Sequence, residues 1–402
     1  MMARVSGWVP AAVALAVLLG AVPTPRAESI FGMNLLGERL DAVDARTAAL
    51  GGFVQTIDDS LGILQYNPAM LAWAKRVTFS ASGYLTRDAN QSPDLERTVV
   101  ASKFSALGLA FPLFRKTLTA SVGYRGRYDP DGDFSVPGET PAGETYNDIF
   151  ARSGGTWSVP ITMAADLGRF MKVGGTFSLE RGTIENRWLI DFAGTTTADA
   201  SSEQIREVRG TGFAGGVVVR PIASVSVGVA YEAEIDYDVN VKESFTNASA
   251  DTSYEETMRQ PERWTASASW RVMRGFTVYA GGSLCDFTNF EGLDFPSERL
   301  TEERVASFGL EYRFRGSRFP IRASARFEQL PYTMPDGEEI SRVAFTLGSG
   351  LIFRTGRGKL DAALTFAQVG SVDTNTYEDQ QVRFFISIAG SESWATKREG
   401  RY

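Results

Sequence analysis

The sequence contains no histidine and a single cysteine, Cys285. The absence of histidine excludes Ser-His-Asp hydrolases, Cys-His proteases and histidine-ligated zinc sites. One cysteine excludes an internal disulfide and a thiolate metal cluster. The net charge is -7 and no basic tract stands out, so nucleic acid is not an expected partner. Neither a P-loop nor a dinucleotide fingerprint occurs, and we expect no cofactor, no metal and no enzyme activity.

Long hydrophobic runs are also missing, with one exception at the N-terminus. Arg4 is followed by an apolar run from Trp8 to Val22 and then by small residues that end at Ala27. A positive start, a short apolar run and a small residue at the cut are typical of a secretory signal peptide, here residues 1–27. An N-terminal membrane anchor is the alternative. No later run of 18 apolar residues exists, so no spanning helix is predicted.

The rest of the chain alternates apolar and polar residues with a period of two. The segment 77–86 does so over ten residues, and 223–236 alternates over fourteen. A period of two over such lengths predicts β-strands with one apolar and one polar face. Fourteen such runs can be counted, and they are 77–87, 99–113, 117–128, 152–165, 170–191, 204–220, 223–245, 256–272, 275–290, 302–315, 318–331, 341–355, 358–370 and 380–390.

The connections between these runs are alternately short and long. An even strand count, short turns at one end and long polar loops at the other are typical of an outer-membrane barrel. A soluble sandwich or propeller is the alternative, but soluble strands average about 5–6 residues and many of these runs are longer. We therefore predict an all-β fold, a 14-stranded antiparallel transmembrane β-barrel over residues 77–390, with a C-terminal tail over 391–402.

Residues 28–76 do not alternate. Apolar positions from Leu35 to Ala48 fit a short helix, and no part of the segment is long enough to span a membrane. A barrel of fourteen strands needs filling or leaves a channel. We expect this segment to be a luminal hatch, or plug, containing short helices. A periplasmic tail is the alternative, although the content of Leu, Ile, Met and Trp argues against disorder.

The order of motifs in this segment carries a resemblance. Arg46, Gly51-Gly52, Asp58-Asp59 and Asn67-Pro68-Ala69 precede the first strand. This order resembles the N-terminal hatch of the FadL family, outer-membrane transporters of long-chain fatty acids and other hydrophobic compounds. Three later segments are also similar to the family, 260–264, 308–331 and 345–351. The C-terminal tail departs from it, because family members commonly finish on a strand with a terminal aromatic residue.

The resemblance implies a gating role for part of the hatch. Proline restricts the residue before it to extended conformations, and an Asn side chain can bond its own turn. The two glycines permit positive φ or a close approach to the wall. Without the resemblance, an ordinary turn and helix cap would be the simpler interpretation. The candidate gating residues are Gly51, Gly52, Asp58, Asp59, Asn67, Pro68 and Ala69.

Strand parity and the resemblance together supply the remaining candidates. A carboxylate ligand needs a cation in an otherwise apolar pocket, and parity places five candidates on the lumen face, although inward charges are more often ion-pair ladders. These candidates are Arg125, Arg127, Lys172, Arg322 and Arg326. The longest predicted loop, 129–151, is the candidate ligand entrance, with Phe134, Tyr146, Ile149 and Phe150.

The resemblance also implies lateral release of substrate through a gap at a kinked strand. Pro160 and the pair Gly154-Gly155 suit such a wall defect, or an ordinary bulge. We expect a monomer in the bacterial outer membrane, in contact with outer-membrane lipid, for passive uptake of hydrophobic compounds. Long-chain fatty acids are the first expected substrate and aromatic hydrocarbons are similarly plausible. The alternative is a barrel that acts as a shuttle or scaffold for surface or secreted proteins.

Overall fold

The computed structural model describes residues 29–63, 66–92, 96–114, 117–194, 198–246, 251–354 and 356–392. The predicted signal peptide lies outside the described residues, as does the predicted tail beyond residue 392. In the described part of the chain, none of the helices has the length and apolar character needed to cross a membrane.

The chain forms fourteen antiparallel strands, as the periodicity predicts. Three of them are interrupted by two residues each. The strands are β1 (Val77–Gln91), β2 (Glu96–Pro112), β3 (Leu118–Asp129 and Gly132–Glu139), β4 (Thr145–Asp166), β5 (Met171–Phe192), β6 (Ala200–Ile222), β7 (Val225–Glu232 and Ile235–Phe245), β8 (Thr252–Gln260 and Arg263–Met273), β9 (Phe276–Asp286), β10 (Glu302–Arg313), β11 (Pro320–Thr333), β12 (Glu339–Ile352), β13 (Gly358–Gly370) and β14 (Glu378–Glu392).

The sheet closes on itself into a barrel. Strand β14 pairs with β1 from Glu378↔Gln91 to Glu392↔Val77, so the last strand supplies the hydrogen bonds that the first would otherwise lack. Closure removes the open sheet edges, which is the condition for a sheet to exist in lipid. The predicted fourteen-stranded antiparallel barrel is therefore confirmed.

The two faces of the wall have opposite character through most of the barrel. In β8, Arg263 and Thr265 are buried on the inside, whereas Trp264 and Trp270 project outward and are 51% and 54% exposed. The same alternation recurs in β12, where Phe345 and Leu347 are exposed on the outside. An apolar outer face around a polar interior is the arrangement that a lipid environment favours.

The strands differ greatly in length. Strands β4, β5 and β6 have 22, 22 and 23 residues, against 11 to 15 for β9 to β14. The predicted loop 129–151 is therefore wrong, because most of it is strand and only 140–144 form a turn. The alternation weakens there since both faces carry polar residues and Pro130 interrupts β3. One side of the barrel stands well above the other at the end with the longer connections, the extracellular end in such barrels.

The hatch segment, of which residues 29–63 and 66–76 are described, lies inside the barrel and contacts the inner faces of strands around the ring. It contains 3₁₀ turns at Phe31–Met33 and Pro68–Trp73, a two-residue strand at Glu38–Arg39 and helix α1 (Ala45–Ala49). The expected helix from Leu35 onward is thus confined to α1, because Leu35 and Gly37 have φ of 51° and 105°, which no helix accommodates. The chain descends from the extracellular half to the opposite end, where it enters β1.

Candidate functional site

Ion pairs fasten the hatch segment to the wall. The Glu38 carboxylate accepts from both terminal nitrogens of Arg383 in β14, and an Arg342 nitrogen in β12 lies 3.0 Å from it. Arg39 pairs with Glu232 in β7 at 3.2 Å, and Asp41 pairs with Arg326. Pairing of this kind offsets the cost of burying these charges. These contacts involve strands on opposite sides of the barrel, so they hold the segment across the lumen.

Asp58 and Asp59 also meet cations of the wall. Asp58 lies 3.2 Å from Arg220, at a partly exposed position. Asp59 lies 2.6 Å from Lys359 and 2.9 Å from Arg46 of its own segment. Burial alone would raise the pKa of Asp59, but Lys359 and Arg46 hold it well below its usual value. Asp59 therefore stays ionised and ties α1 to β13.

The Asn67-Pro68-Ala69 turn is held against the wall of β5, β6 and β7. The Asn67 side chain accepts from the Ala69 amide at 2.9 Å and donates to the carbonyls of Val217 and Val229 at 3.3 Å. Asn67 is fully buried. A Cβ on Gly216 would lie 2.1 Å from its Oδ1 atom, so the turn seats where the wall has no side chain.

Gly51 and Gly52 end helix α1 with φ of 92° and 84°. A Cβ on Gly51 would lie 2.8 Å from the Ser307 Cβ in β10. The first glycine therefore combines a left-handed backbone with a close approach to the wall, and both features favour glycine.

Four of the five predicted lumen cations are already paired. Arg127 lies 3.7 Å from Glu180, Lys172 lies 2.7 Å from Asp166, Arg322 lies 2.6 Å from Glu311, and Arg326 lies 2.7 Å from Glu328. All five are lumen-facing, and Arg125, Arg127, Lys172 and Arg322 are buried. Most of this set therefore forms the ion-pair network that the alternative interpretation described.

Arg125 differs from the others. In the described residues it makes no ion pair, and its guanidinium stacks over the Tyr66 ring of the hatch segment at 4.3 Å. Arg39 approaches the same ring at 4.9 Å. A buried charge without a counterion is unfavourable. Arg125 is therefore the best placed of the five to pair with an anionic group.

An apolar cluster fills the upper lumen around the tip of the hatch segment. Phe31 and Leu36 of the segment pack against inward side chains of the wall, including Tyr237 and Ile340. Phe287, in the connection between β9 and β10, folds inward and joins the cluster. The same connection is held by an ion pair between Asp294 and Arg206 at 3.0 Å and by hydrogen bonds from Arg299 to the Thr333 carbonyl.

Two cavities border this cluster. One lies beside the tip of the hatch segment, with Phe31, Leu36, Tyr128 and Phe287 on its walls and Arg342 at its base. The second continues along the segment past Glu38, Tyr84 and Gly51. Because both share Glu38, Arg39 and Arg342, they adjoin at the point where the segment is fastened to the wall.

Aromatic rings line the inner face of β3, β4 and β5 where these strands extend above the rest of the barrel. Phe150 lies 5.5 Å from Phe134 and 5.1 Å from Trp188, and Tyr146 lies 5.7 Å from Phe192. We name these five residues the aromatic wall. Arg152, on the same strand face as Phe150, donates to the carbonyls of hatch residues, which identifies this face as the inner one. Ile149, predicted with them, has the opposite parity and faces outward.

The outer face at this height carries charged pairs as well as Ile149. Arg187 pairs with Glu203 at 3.2 Å and Lys242 with Glu207 at 2.5 Å. Lower on β5 the order is reversed, with Phe177 outside and Glu180 fully buried inside. Aromatic side chains therefore change face along β4 and β5, from the outer face in the lower part to the inner face in the upper part.

The wall is incomplete between β2 and β3. Among the described residues, these strands pair only from Pro112↔Thr119 to Ala106↔Arg125. Beyond this point β3 turns inward and pairs instead with the hatch segment, Glu38↔Asp129 and Arg39↔Tyr128. We name this interruption the β2–β3 seam.

Side chains close the seam. Lys103 of β2 lies 2.8 Å from Asp129 and 2.5 Å from Asp131, and Arg97 pairs with Asp133. Across from the break in β3, Gly154 and Gly155 have φ of 113° and 135°. The glycine pair thus lies at the wall defect, whereas Pro160 stays in regular pairing with Ser178.

Sequence reasoning missed the residues that fasten the hatch segment and close the seam. Glu38 lies in a segment without periodicity, so no face could be assigned to it. Parity does place Arg342 and Arg383 on inner faces, and this is the one signal that could have found them. The partners of Lys103 could not be found, because they follow from the inward turn of β3.

Solved structures of the same architecture are similar to this chain. The CymD monoaromatic hydrocarbon channel is 15% identical, with a TM-score of 0.61, over 90% of this chain and 99% of that one. The Pseudomonas putida toluene transporter TodX is 13% identical, with a TM-score of 0.62, over 89% and 99%. A Pseudomonas aeruginosa FadL homologue is 12% identical, with a TM-score of 0.59, over 92% and 99%.

No family model matches the sequence, and no curated protein matches it significantly. At such low identity the structural similarity establishes the fold. The fold expected from the resemblance is thereby confirmed over nearly the whole described chain.

Proposed function

We propose that this barrel lies in the bacterial outer membrane as a monomer and takes up hydrophobic compounds by passive diffusion. The observation that carries the proposal is the change of face of the aromatic side chains along β4 and β5. The aromatic wall and the apolar cluster in the lumen lie at the same end of the barrel and offer a hydrophobic molecule a surface that water does not compete for. A porin for hydrophilic solutes has no use for such a surface.

The proposed route has three parts. The aromatic wall captures the compound. Three of its residues, Phe134, Tyr146 and Phe150, are candidates for the ligand entrance from the sequence. The compound then reaches the apolar cluster at the tip of the hatch segment. It leaves through the β2–β3 seam into the outer-membrane lipid, which is the lateral release that the family resemblance implies.

The hatch segment is the proposed gate. Asn67, Pro68 and Ala69 anchor its lower end, and Gly51 and Gly52 let the chain turn beside the wall. Asp58 and Asp59 add ion pairs at the same end. Because Glu38 and Arg39 form both the ion pairs to the wall and the pairing with β3, movement of this strand would act on the seam directly.

Two substrate classes fit this route. Long-chain fatty acids follow from the resemblance, with Arg125 and its companions as candidate partners for a carboxylate. Monoaromatic hydrocarbons and toluene are named for two of the similar structures. Both classes are hydrophobic, and the proposal is made for hydrophobic compounds as a group.

Uptake by intact cells tests the proposal. A strain that lacks its own hydrophobic-compound channels takes up labelled decanol and labelled long-chain fatty acid with and without this protein, and folding is checked by the heat shift of the band on a gel. Uptake that depends on the protein supports transport. A folded barrel that transports neither compound would contradict the proposal and favour the shuttle or scaffold role.

Variants of the aromatic wall sharpen this test. Trp188→Ala removes a ring that lies 5.1 Å from Phe150, and we expect about fivefold to tenfold slower uptake at low substrate concentration, because a ring contact contributes about 1 kcal/mol beyond its area. Trp270→Ala is the matched control, since Trp270 is 54% exposed on the outer face. Equal effects of the two substitutions would contradict a capture role for the inner face.

A further inference from the structure

We infer that the β2–β3 seam is a charge filter, which passes uncharged hydrophobic compounds and excludes those that carry a carboxylate. The inference rests on the proposed function and narrows its substrate class. It concerns the groups that close the seam, and it names Asp131 and Asp133 as specificity-determining residues.

The seam itself carries more negative than positive charge. Asp129, Asp131 and Asp133 face Lys103 and Arg97, so three carboxylates share two cations in the described part of the seam. Lys103 is divided between two of the carboxylates, at 2.8 Å from Asp129 and 2.5 Å from Asp131. Both cations are thus already engaged by carboxylates of the seam.

Two further carboxylates border the seam on the lumen side. Asp88 of β1 lies opposite Val99 of β2, and it has no Lys or Arg nitrogen within 4 Å among the described residues. The same holds for Asp379 of β14, which accepts from the Ser29 hydroxyl. The Ser29 amide donates to the Asp131 carbonyl at 3.3 Å, which places Asp379 beside the seam.

The cations of the lumen do not compensate for this excess at the seam. Arg342 and Arg383 are occupied by Glu38. Arg125 lies at the lower end of the seam, where its guanidinium stacks on Tyr66. Among the described residues, Asp129, Asp131, Asp133, Asp88 and Asp379 stand against Lys103, Arg97 and Arg125. When Glu38, Arg342 and Arg383 are added, six carboxylates stand against five cations, so an excess of negative charge remains.

The outer side of the seam is aromatic. Phe104 of β2 lies 5.7 Å from Tyr124 of β3, which lies 5.7 Å from Trp157 of β4. An uncharged compound that parts the Lys103 contacts moves directly onto these rings and then into lipid. A carboxylate would pass uncompensated negative charge and then enter an apolar surface with no counterion, and both steps are unfavourable.

A matched pair of substrates tests the filter. Uptake of labelled 1-decanol and labelled decanoate is measured at neutral pH in the channel-deficient strain, since the two differ in charge and share a ten-carbon chain. One unit of like charge at about 6 Å, with an effective dielectric constant of about 20, makes at least a tenfold preference for decanol the expected result. Rates are corrected for uptake by cells without the protein.

Three carboxyl-to-amide substitutions then locate the filter. Asp131→Asn and Asp133→Asn each raise decanoate uptake about threefold or more while decanol uptake stays within about twofold, because each removes one negative charge and preserves shape. Asp133 lies nearer the rim and pairs only with Arg97 in the described structure, so Asp133→Asn serves if Asp131→Asn fails to fold. Asp336→Asn, in the turn between β11 and β12, is the control and leaves the ratio unchanged.

Each outcome separates the filter from the proposed function. Decanol uptake with little decanoate uptake, relieved by either seam substitution, supports the filter. Equal uptake of both compounds, or a ratio that neither substitution changes, overturns the filter and leaves the proposed function standing. No uptake of either compound by a folded barrel overturns both.

Discussion

Removal of the Glu38 carboxylate should release the upper part of the hatch segment. Burial alone would raise the pKa of Glu38, but Arg342 and Arg383 hold it at about 2, against 4.5 for a free side chain. A lowering of about 2.5 pKa units corresponds to about 3 kcal/mol of stabilisation of the docked segment. Glu38→Gln should lose most of this stabilisation. The equilibrium between the docked and the released segment should then shift toward release by about two orders of magnitude.

The sign of the pH dependence follows from the same value. Because the pKa of Glu38 is depressed in the folded state, its contribution is complete above pH 4.5. It is lost as the pH falls from 4.5 toward about 2, where the folded state also takes up the proton. Wild-type protein should therefore approach the behaviour of Glu38→Gln over this range, and the variant itself should show no transition from this group.

Thiol labelling measures the release. The native Cys285 is buried, and Ala48 of α1 lines the cavity next to Glu38, so an Ala48→Cys background reports access to the hatch segment. Glu38→Gln in this background should be labelled by a polar maleimide up to about 100-fold faster. Glu302→Gln is the control, because Glu302 forms a surface pair with Arg304 at 2.6 Å, and such pairs contribute at most about 1 kcal/mol. Equal labelling rates for the two variants would refute the reasoning.

Two more substitutions test how the hatch segment is held. Gly216→Ala places a methyl group 2.1 Å from the Asn67 Oδ1 atom and should lower stability by about 1–3 kcal/mol, whereas Gly215→Ala, whose methyl group meets nothing within 4 Å, should leave it unchanged in a heat-shift titration. Arg152→Met removes the donors to two carbonyl oxygens of the hatch segment, including Leu35 at 2.6 Å, and should raise the exchange rate of amide hydrogens around them at least tenfold, as measured by mass spectrometry. An unchanged exchange rate would indicate that apolar neighbours, and not Arg152, hold this turn of the hatch segment in place.

The barrel was predictable because its determinant is local. Period-two alternation assigns every strand residue to a face, and it finds all fourteen strands because lipid outside and polar groups inside make the contrast strong. The prediction of a loop at 129–151 was wrong because this contrast between the two faces is missing there. Above the lipid both environments contain water, so residues such as Ser135 and Asp148 no longer mark a face, and a strand there has no distinctive pattern.

The ion pairs were not predictable because they are not local. Parity places Arg322 and Arg326 on inner faces, but their partners lie on a neighbouring strand and on the hatch segment. Which carboxylate meets which guanidinium depends on the height of each strand and on the path of the hatch segment through the lumen. Asp41 and Glu38 precede any periodic pattern, so neither could be assigned a neighbour.

The pairing of the hatch segment with the wall also constrains the order of assembly. The hatch segment is synthesised before the barrel strands. The wall partners of its charged residues follow between 265 and 345 residues later, and these charged residues are Glu38, Asp41, Arg46 and Asp59. Contacts between such distant parts of a chain are slow to form. The N-terminal segment must therefore wait, with its charges hydrated, until the last strands arrive. Joining β14 to β1 then closes the wall around it, so the hatch segment is enclosed in the same step that completes the barrel.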